Sequence, residues 1–340
     1  MSTPRANTTQ RGAGLAHEGS QPSSTGHIPV LLQDVIRLTA PQPGEHVIDC
    51  TLGAGGYAEA FLTATAPDGQ LLGLDLDETL LIRTKERLAG YGSRVQLVHG
   101  SFAALASIAK RFTTSSIIVA DLGLSSVALD APERGFSFLQ DGPLDMRMDQ
   151  SNGETAADLI SEASVADLEH ILKTYGEEPH SHTIAHAIVA AAKHRPLTRT
   201  NQLVAVIDDA YRGILHAPAG RKLWLGRGIH PATRTFQALR IAVNSELEAL
   251  EAMLPQAFDL LKPGGRLAIV SFHSLEDRIV KQFMKQLCVR CVCPPEQLQC
   301  TCTRIPRATS ITRKAVQASP EEIALNPRSR SAKLRIIKKT

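Results

Sequence analysis

Carboxylates and glycines recur early in the chain at spacings that suit a nucleoside-containing ligand. Asp49 ends a short apolar run, and a glycine-rich loop follows it directly. Glycines allow the backbone to turn sharply and to approach a ligand without an intervening Cβ. A second apolar run ends at Asp75, where a carboxylate can accept hydrogen bonds from both hydroxyls of a ribose. The loop and the helical pattern behind it add four candidate cofactor-binding residues: Gly53, Gly55, Gly56 and Tyr57.

The identity of the cofactor depends on what surrounds this loop. Gly53-x-Gly55-x-x-Ala58 also fits the loose dinucleotide pattern, so NAD stays open, as does a plain glycine turn. Two features favour S-adenosylmethionine. Asp49 can face an ammonium group, and Phe102 at the next strand end offers an apolar wall for an adenine. A pyrophosphate would need a basic residue or a longer cradle near the loop, and we find neither there.

Two further residues at strand ends, Asp121 and His273, are candidates for catalysis. An exocyclic base amine is a poor nucleophile because its lone pair is delocalised, and it gains positive charge as it attacks a methyl group. Asp121 could accept a hydrogen bond from such an amine, hold the amino-acid end of the cofactor, or only cap its own loop. His273 could take a proton or line a base pocket, or it could be a structural residue.

These residues follow the strands of an expected parallel sheet. Apolar runs alternate with helical patterns three times before a fourth run, which indicates an α/β fold. The elements predicted after Asp75 are a helix over 77–89, a strand over 95–98, a helix over 103–110 and a strand from residue 116. Ligands of such sheets bind outside the carboxyl ends of the strands, so the candidate residues should surround one crevice.

The alternation stops after the fourth strand and resumes late in the chain. Between them the sequence predicts helices over 155–159, 164–175, 181–193 and 200–210. A long helix to about residue 261, a strand over 267–272, a helix over 275–287 capped by Ser274, and a last edge strand over 333–337 follow. We therefore expect a disordered tail at 1–26, a discontinuous sheet domain at 27–129 and 235–340, and an inserted helical substrate-recognition domain at 130–234.

Charge and hydropathy bound the possible partners. The 340 residues carry a formal net charge of only +3, and no apolar run approaches the roughly 18 to 20 residues of a membrane span. The tail from Arg304 to Thr340 holds ten Lys or Arg against two Glu, which suits phosphates or a solvated surface equally.

Phe136 and Phe138 could stack on bases or belong to the core. Candidates for phosphate contacts, with internal salt bridges as the alternative, are Arg134, Arg147, Arg199, Arg234 and Arg240.

The six cysteines fall into two groups. Cys50 follows Asp49 in an apolar run and is expected to be a buried thiol. The other five lie within fifteen residues, at positions 288, 291, 293, 300 and 302. Such a group could bind zinc, remain as reduced thiols or form a redox-sensitive loop. The Cys-x-Cys pairs are tighter than the usual zinc-ligand spacing, so we assign no metal ligand from the sequence, and nothing favours a structural disulfide framework.

Several long motifs together resemble one family, the bacterial 16S ribosomal RNA cytosine-N4 methyltransferases called RsmH or MraW. The resemblance runs from about His27 to Arg335. The motifs, in chain order, are His27-x-x-Val-Leu-Leu32, Gly53-Ala-Gly-Gly56, Asp121-Leu-Gly-Leu-Ser-Ser126, Glu133-Arg-Gly-Phe-Ser-Phe138, Asp141-Gly-Pro-Leu-Asp-Met-Arg-Met-Asp149, Thr174-Tyr-Gly-Glu-Glu178, His230-Pro-Ala-Thr-Arg-Thr-Phe-Gln237, Asn244-Ser-Glu-Leu247, Ser271-Phe-His-Ser-Leu-Glu-Asp-Arg278 and Asn326-Pro-Arg-Ser-Arg330.

The resemblance implies a cytoplasmic enzyme of ribosome biogenesis. It implies methyl transfer from S-adenosylmethionine to the exocyclic N4 amine of a cytidine in the decoding centre of 16S ribosomal RNA, within a small subunit or its precursor. The implied fold is a Rossmann-like class I S-adenosylmethionine-dependent methyltransferase sheet with an inserted helical domain. The implied cofactor positions are Gly55, Gly56, Tyr57, Asp75, Phe102 and Asp121.

One position departs from the family pattern. A family Gln soon after the serine pair is Ala128 here, so that side-chain contact is absent. Two alternatives remain at this point: a non-catalytic RNA-binding assembly factor and, from the fold alone, an NAD-dependent oxidoreductase.

Overall fold

A computed structural model describes residues 29–112, 114–216, 230–291, 293, 297, 301–302 and 305–340. The tail predicted at 1–26, the motif start at His27, and Cys300 all lie outside the described residues. Within the described ranges, no helix is long and apolar enough to cross a membrane.

Among the described residues, seven strands form one sheet in the order β3-β2-β1-β4-β5-β7-β6. The strands are β1 (Val47–Asp49), β2 (Leu71–Asp75), β3 (Val95–His99), β4 (Ser115–Asp121), β5 (Leu261–Ser271), β6 (Ala308–Ser310) and β7 (Lys333–Lys339). β1 to β5 run parallel, whereas β7 is antiparallel to both β5 and β6. The predicted α/β fold with a parallel sheet is confirmed.

Helices lie on both faces of this sheet and beyond it. They are α1 (Leu32–Thr39), α2 (Gly56–Ala64), α3 (Glu78–Arg87), α4 (Leu105–Ile108), α5 (Ser126–Asp130), α6 (Ala156–Glu162), α7 (Val165–Gly176), α8 (Ser181–His194), α9 (Thr200–Ile214), α10 (Ala232–Asn244), α11 (Glu246–Leu260), α12 (Ser274–Cys288) and α13 (Pro320–Leu325). Short 3-10 turns cover Ala89–Arg94, Phe102–Ala104, Pro132–Arg134 and Pro327–Ser331.

The central strands each carry a run of apolar residues because both of their faces are covered. Successive strand residues point to opposite faces. In β4, Ile118 belongs to the core cluster that includes Phe258 of α11, while Ile117 belongs to the cluster that includes Phe61 of α2. The ends of these strands are therefore held rigidly, which fixes the positions of the residues that follow them.

A separate hydrophobic cluster joins the helices between β4 and β5. α7 packs against α8 and α10, and α8 packs against α9. Its fully buried residues include Leu168, Leu172, Ile184, Ile188, Leu203, Ile207 and Leu239. The predicted boundaries of the insert at 130 and 234 stay a prediction, since the cluster also draws in Ala128 before them and Phe236 after them.

Two elements differ from the sequence prediction. The prediction of a single long helix is wrong. The helix is interrupted at Ser245, whose φ of 48° is left-handed, and the two parts are α10 and α11. The break lets α10 bury its apolar side in the helical cluster while α11 buries its own against the sheet. The last strand is also not the edge strand, because β6 pairs with the outer side of β7.

Candidate active site

A cavity opens at the carboxyl ends of β1, β2 and β4, the edge where parallel α/β sheets bind ligands. Its volume is about 1480 Å³, including the part that is open to solvent. Six of the predicted cofactor residues line it: Gly53, Gly56, Tyr57, Asp75, Phe102 and Asp121. Gly55 and His273 are not among its lining residues.

The glycine loop is held from outside by α3. The hydroxyl of Thr84 donates to the Gly53 carbonyl at 2.7 Å, and Arg87 donates to the Ala54 carbonyl at 2.9 Å. Gly55 has a φ of 80°, which a residue with a Cβ rarely adopts. The loop backbone is therefore fixed in a shape that leaves its other side free to face the cavity.

Gly56 starts α2 at a point of close contact between segments. A Cβ added there would lie 2.2 Å from Cγ of Pro29. The next residue reinforces this contact, since the Tyr57 hydroxyl donates to the Val30 carbonyl. The segment before α1 thus closes over the glycine loop, and any side chain at position 56 would push it away.

Asp75, at the end of β2, is anchored by two backbone amides. Gly53 donates to Asp75 Oδ2 at 2.7 Å, and Asp77 donates to Asp75 Oδ1 at 2.8 Å. Burial raises the pKa of Asp75, and these two hydrogen bonds act against that rise. Each carboxylate oxygen has a second lone pair, so the group can still accept hydrogen bonds from a ligand.

Asp49 and Asp121 end the neighbouring strands β1 and β4. Asp49 is 1 % exposed, and burial together with the charge of Asp75 raises its pKa to about 7. Burial, then the charges of Asp49 and Glu276, raise the pKa of Asp121 well above its usual value. Among the described residues, neither Asp49 Oδ2 nor Asp121 Oδ1 has a hydrogen-bond partner. Buried acceptors of this kind are stabilised by a cationic or hydrogen-donating ligand.

The two carboxyl groups are positioned by adjacent strand ends. Thr51 donates its backbone amide to Asp49 Oδ1 at 3.1 Å, and its hydroxyl accepts the Asp121 amide at 2.6 Å. Thr51 therefore ties β1 to β4 beside the cavity, which it also lines. It is a residue that sequence analysis missed, although its place directly after the first strand was a usable signal.

Comparison with known proteins gives the family of this chain. A sequence model of the MraW methylase family matches residues 24–340. The chain belongs to the MraW methylase family. A protein of Citrifermentans bemidjiense named "Ribosomal RNA small subunit methyltransferase H" is 48 % identical over 315 residues, which cover 92 % of this chain and 98 % of that protein. A protein of the same name from Symbiobacterium thermophilum is 47 % identical over 92 % of this chain and 96 % of its own length.

A solved structure also matches most of the chain. The putative rRNA-methylase from Clostridium thermocellum covers 92 % of this chain and 99 % of its own, at a TM-score of 0.42 and 12 % identity.

In this methylase, His273 is placed differently from the sequence prediction. It is the N-cap of α12, where Ser274 had been predicted, and its Nδ1 accepts the Glu276 amide at 3.5 Å. Its Nε2 lies 3.1 Å from Glu276 Oε1. Glu276, not His273, lines the cavity. Burial alone would raise the pKa of Glu276, but its hydrogen bond with His273 and the charge of Arg240 hold that pKa below its usual value.

Several lining residues come from distant parts of the methylase and were missed in the sequence. Asn244 donates to the Met146 carbonyl at 2.8 Å and accepts the Met148 amide at 2.7 Å, and so fixes the loop of the insert against the cavity. Asn244 lies within a motif that the sequence shares with the family, but the sequence assigned no role to this residue. Charged lining residues that were also missed include Glu246, Glu276 and Arg328.

The two phenylalanines predicted as a stacking platform face different surroundings. Phe136 is buried and lines the cavity. The ring of Phe138 lies 5.0 Å from that of Phe236 and 5.1 Å from that of His230, within the helical cluster. Ala128, where the family pattern has a Gln, is 6 % exposed and also lines the cavity. A stacking role therefore suits Phe136 alone.

The five arginines proposed for phosphate contacts all have acidic partners within the chain. Arg134 pairs with Asp77, and Arg240 with Glu246 at 2.7 Å; both arginine side chains are largely buried. The remaining pairs are Arg147–Asp145, Arg199–Asp141 and Arg234–Glu178. All five arginines therefore form the internal salt bridges that were the alternative to phosphate contacts. Of the five, only Arg199 and Arg234 keep about half of their side chains exposed, at 49 % and 47 %.

Proposed function

We propose that this chain transfers a methyl group from S-adenosylmethionine to the exocyclic N4 amine of a cytidine in the decoding centre of 16S ribosomal RNA. The support begins with its membership of the MraW methylase family and with relatives named as small-subunit ribosomal RNA methyltransferases. One observation of the site carries the proposal. Two buried carboxylate oxygens, from Asp49 and Asp121, have no hydrogen-bond partner among the described residues, and they lie at adjacent strand ends beside the cavity that Asp121 lines.

The residues around the cavity fit S-adenosylmethionine as cofactor. This cofactor supplies an electrophilic methyl group on a cationic sulfonium and also carries an ammonium group. Buried carboxylates at Asp49 and Asp121 would be stabilised by such positive charge. Asp75 would accept hydrogen bonds from the ribose hydroxyls, and Phe102 would form a wall for the adenine. The backbone at Gly53, Gly55, Gly56 and Tyr57 would complete the cradle.

The same charges disfavour a dinucleotide. The cavity is lined by acidic side chains, and the arginines among its described lining residues are engaged elsewhere. Arg134 pairs with Asp77, and Arg328 pairs with Asp130. Arg87 donates to the Ala54 carbonyl and pairs with Glu59. A pyrophosphate would therefore add negative charge next to several carboxylates, and each described arginine of the lining would have to leave its present partner to compensate it.

Asp121 is our candidate for the residue that meets the amine. A carboxylate there would accept a hydrogen bond from the exocyclic amine, hold its lone pair towards the methyl group, and compensate the positive charge that the nitrogen gains. The cationic sulfonium of the cofactor would favour the ionised form of Asp121, and the raised pKa would then make this carboxylate a suitable acceptor for the proton that the amine must lose. The buried Asp121 Oδ1, which lacks a partner within the described residues, is the support for this role.

His273 stays a predicted catalytic residue, but its contacts favour positioning. It holds Glu276 through the cap of α12, and Glu276 lines the cavity. We therefore expect His273 to act through Glu276 on the shape of the base pocket. We place the reaction in the cytoplasm, on RNA within a small subunit or its precursor, with the helical insert and the basic tail facing the RNA phosphates.

The test is methyl transfer from labelled S-adenosylmethionine to small subunits from cells that lack this protein, followed by nucleoside analysis for N4-methylcytidine. The Asp121→Asn variant keeps the shape of the side chain and should lower the rate at saturating cofactor by about 100-fold. Asp259→Asn is the control, because that carboxylate is 70 % exposed, pairs with Arg307 and does not line the cavity.

Three results would contradict the proposal, each in its own way. RNA binding without any methyl transfer by the wild-type chain would favour the assembly factor. Binding of NAD in preference to S-adenosylmethionine in a titration would favour the oxidoreductase. A product with its methyl group on the ring or the ribose would overturn the amine assignment.

A further inference from the structure

Three cysteine thiols converge on the connection between α12 and β6. Cys291 and Cys293 follow the end of α12, and Cys302 precedes β6. The sulfur atoms of these three residues all lie within 4.8 Å of one another. All three are free cysteines that are not joined in disulfides. None of them lines the cavity at the strand ends, so the catalytic site does not account for their approach.

We propose that Cys291, Cys293 and Cys302 bind a structural zinc ion. Zn²⁺ prefers cysteine sulfur at a Zn–S distance of about 2.3 Å in tetrahedral sites, which places the sulfurs of two ligands about 3.8 Å apart. The upper limit of 4.8 Å on the sulfur separations is close to that distance. Thiols that approach this closely from both ends of a connection can therefore coordinate an ion after small side-chain movements.

Backbone donors next to two of these thiols, those of Cys291 and Cys293, suit thiolates. The Cys293 amide donates to Cys291 Sγ at 3.4 Å. Backbone groups of Thr301 and Cys302 form hydrogen bonds with the Cys293 sulfur. A metal-bound cysteine is a thiolate, and amide donors directed at its sulfur lower the cost of that negative charge. This pattern is a second observation, independent of the sulfur separations, that favours a metal ligand set.

The number of thiols argues against a disulfide as the purpose of the cluster. A disulfide joins two cysteines and would leave the third thiol next to it. A tetrahedral ion uses all three and has one position left for a further ligand. Cys300, the remaining cysteine of this stretch, lies outside the described residues, and the proposal does not depend on it.

The described part of the connection buries little apolar surface. Its described residues from Val289 to Ile305 are all exposed or half-buried, and Ile305 is 83 % exposed. Backbone contacts close its two ends: the Arg307 amide donates to the Leu287 carbonyl at 2.9 Å, and the Cys302 thiol lies 3.9 Å from the Arg290 carbonyl. A segment that buries so little apolar surface gains order from a metal ion that joins its ends.

The primary test is the metal content of the full chain, purified without chelator and separated from loosely bound metal by gel filtration. We expect close to one zinc per chain by mass spectrometry. Cys291→Ser, Cys293→Ser and Cys302→Ser should each lose most of that zinc. Cys288→Ser is the matched control, because Cys288 belongs to the end of α12 and lies outside the three-thiol group. This variant protein should keep its zinc.

Cobalt gives a second readout that reports the ligands directly. Replacing zinc by Co²⁺ should produce a thiolate-to-cobalt charge-transfer band and the visible bands of a tetrahedral site, and both should be absent in Cys293→Ser. Circular dichroism and binding of S-adenosylmethionine check that each variant is folded. Zinc binding and methyl transfer are separate measurements, so either proposal can fail alone.

Three results would overturn the zinc site. The first is wild-type protein without zinc that gives no charge-transfer band with Co²⁺. The second is a disulfide between two of the three cysteines in freshly purified protein. The third is an equal loss of zinc in Cys288→Ser, which would contradict the assignment of the ligands.

Discussion

Replacing Asp49 by asparagine tests the electrostatics of the site through stability rather than activity. Asp49 is almost completely buried, and its pKa is raised from 3.8 to about 7, first by burial and also by the charge of Asp75. A carboxyl whose pKa is higher in the folded state than in the unfolded chain stabilises the fold at low pH. That contribution is lost as the pH rises towards the folded-state pKa. An asparagine side chain cannot ionise and does not suffer this loss.

The magnitude follows from the same shift. Each pKa unit corresponds to about 1.4 kcal/mol, so ionising Asp49 without a cationic ligand costs about 4 kcal/mol in all. Between pH 5 and pH 7 the unfolded chain has lost this proton while the folded chain keeps it. The free energy of unfolding of the wild type should fall by about 1.4 kcal/mol per pH unit relative to the variant, or about 3 kcal/mol over that interval. Above pH 7 the difference should level off.

The absolute stability of the Asp49→Asn variant includes a constant term. The new side chain can keep the hydrogen bond from the Thr51 amide through its carbonyl oxygen, but its amide nitrogen would replace the unpaired Oδ2. An unsatisfied buried donor costs about 1 to 3 kcal/mol at every pH. The pH-dependent part of the difference is therefore the quantity to compare.

The assay is urea unfolding of both proteins without cofactor, at intervals from pH 5 to pH 9. Asp68→Asn is the control, because Asp68 is exposed, and its curve should run parallel to that of the wild type. Adding S-adenosylmethionine should stabilise the wild type at pH 8 more than Asp49→Asn, since its positive charge meets the carboxylate. Parallel curves for the wild type and Asp49→Asn would refute the raised pKa and this account of the site.

Three further predictions concern single side chains of the site. Asp75→Ala should weaken S-adenosylmethionine binding by about 1.5 to 3 kcal/mol in calorimetry, the scale of hydrogen bonds to a charged group, and an unchanged affinity with an intact fold would exclude the ribose contact. Gly56→Ala should lower both stability and cofactor affinity, because the new Cβ would lie 2.2 Å from Cγ of Pro29. Gly90→Ala is the control and should change neither quantity, because a Cβ there meets nothing within 4 Å. Cys50→Ala should lower the stability but leave the rate of the folded enzyme nearly unchanged. Burial raises the pKa of the Cys50 thiol, which leaves it a poor nucleophile. A covalent adduct between the protein and RNA that contains fluorinated cytidine would contradict this.

The sequence predicted most of the candidate residues that the structure gathers around one cavity, because its signals are local. An apolar run that ends in a carboxylate marks a strand end, and parallel strands bring their carboxyl ends to one edge. This reasoning applied to Asp49, Asp75 and Asp121, and the last two line one cavity with the glycine loop. The sequence also predicted a helix cap correctly where one residue type favours that position. Asp77 was predicted to cap α3, and its side chain accepts the Leu80 amide there.

The same local reasoning failed where two residues could serve equally. His273 and Ser274 both precede or begin α12, and both are followed by an acid near the third position. Ser is the commoner cap, but His273 forms the capping box, with Glu276 as its partner. The choice depends on Glu276 being buried against Arg240, which belongs to another helix.

The sequence by itself determined the α/β class, the strand ends that bear the carboxylates and the family, because periodicity and motif spacing are properties of short segments. Only the tertiary structure decided which charges are available. It paired the five candidate arginines with acids, brought Asn244 and Glu276 to the cavity, and gathered three thiols from the two ends of one connection. These outcomes depend on contacts between residues far apart in sequence, and a local pattern does not encode which distant partner a side chain meets.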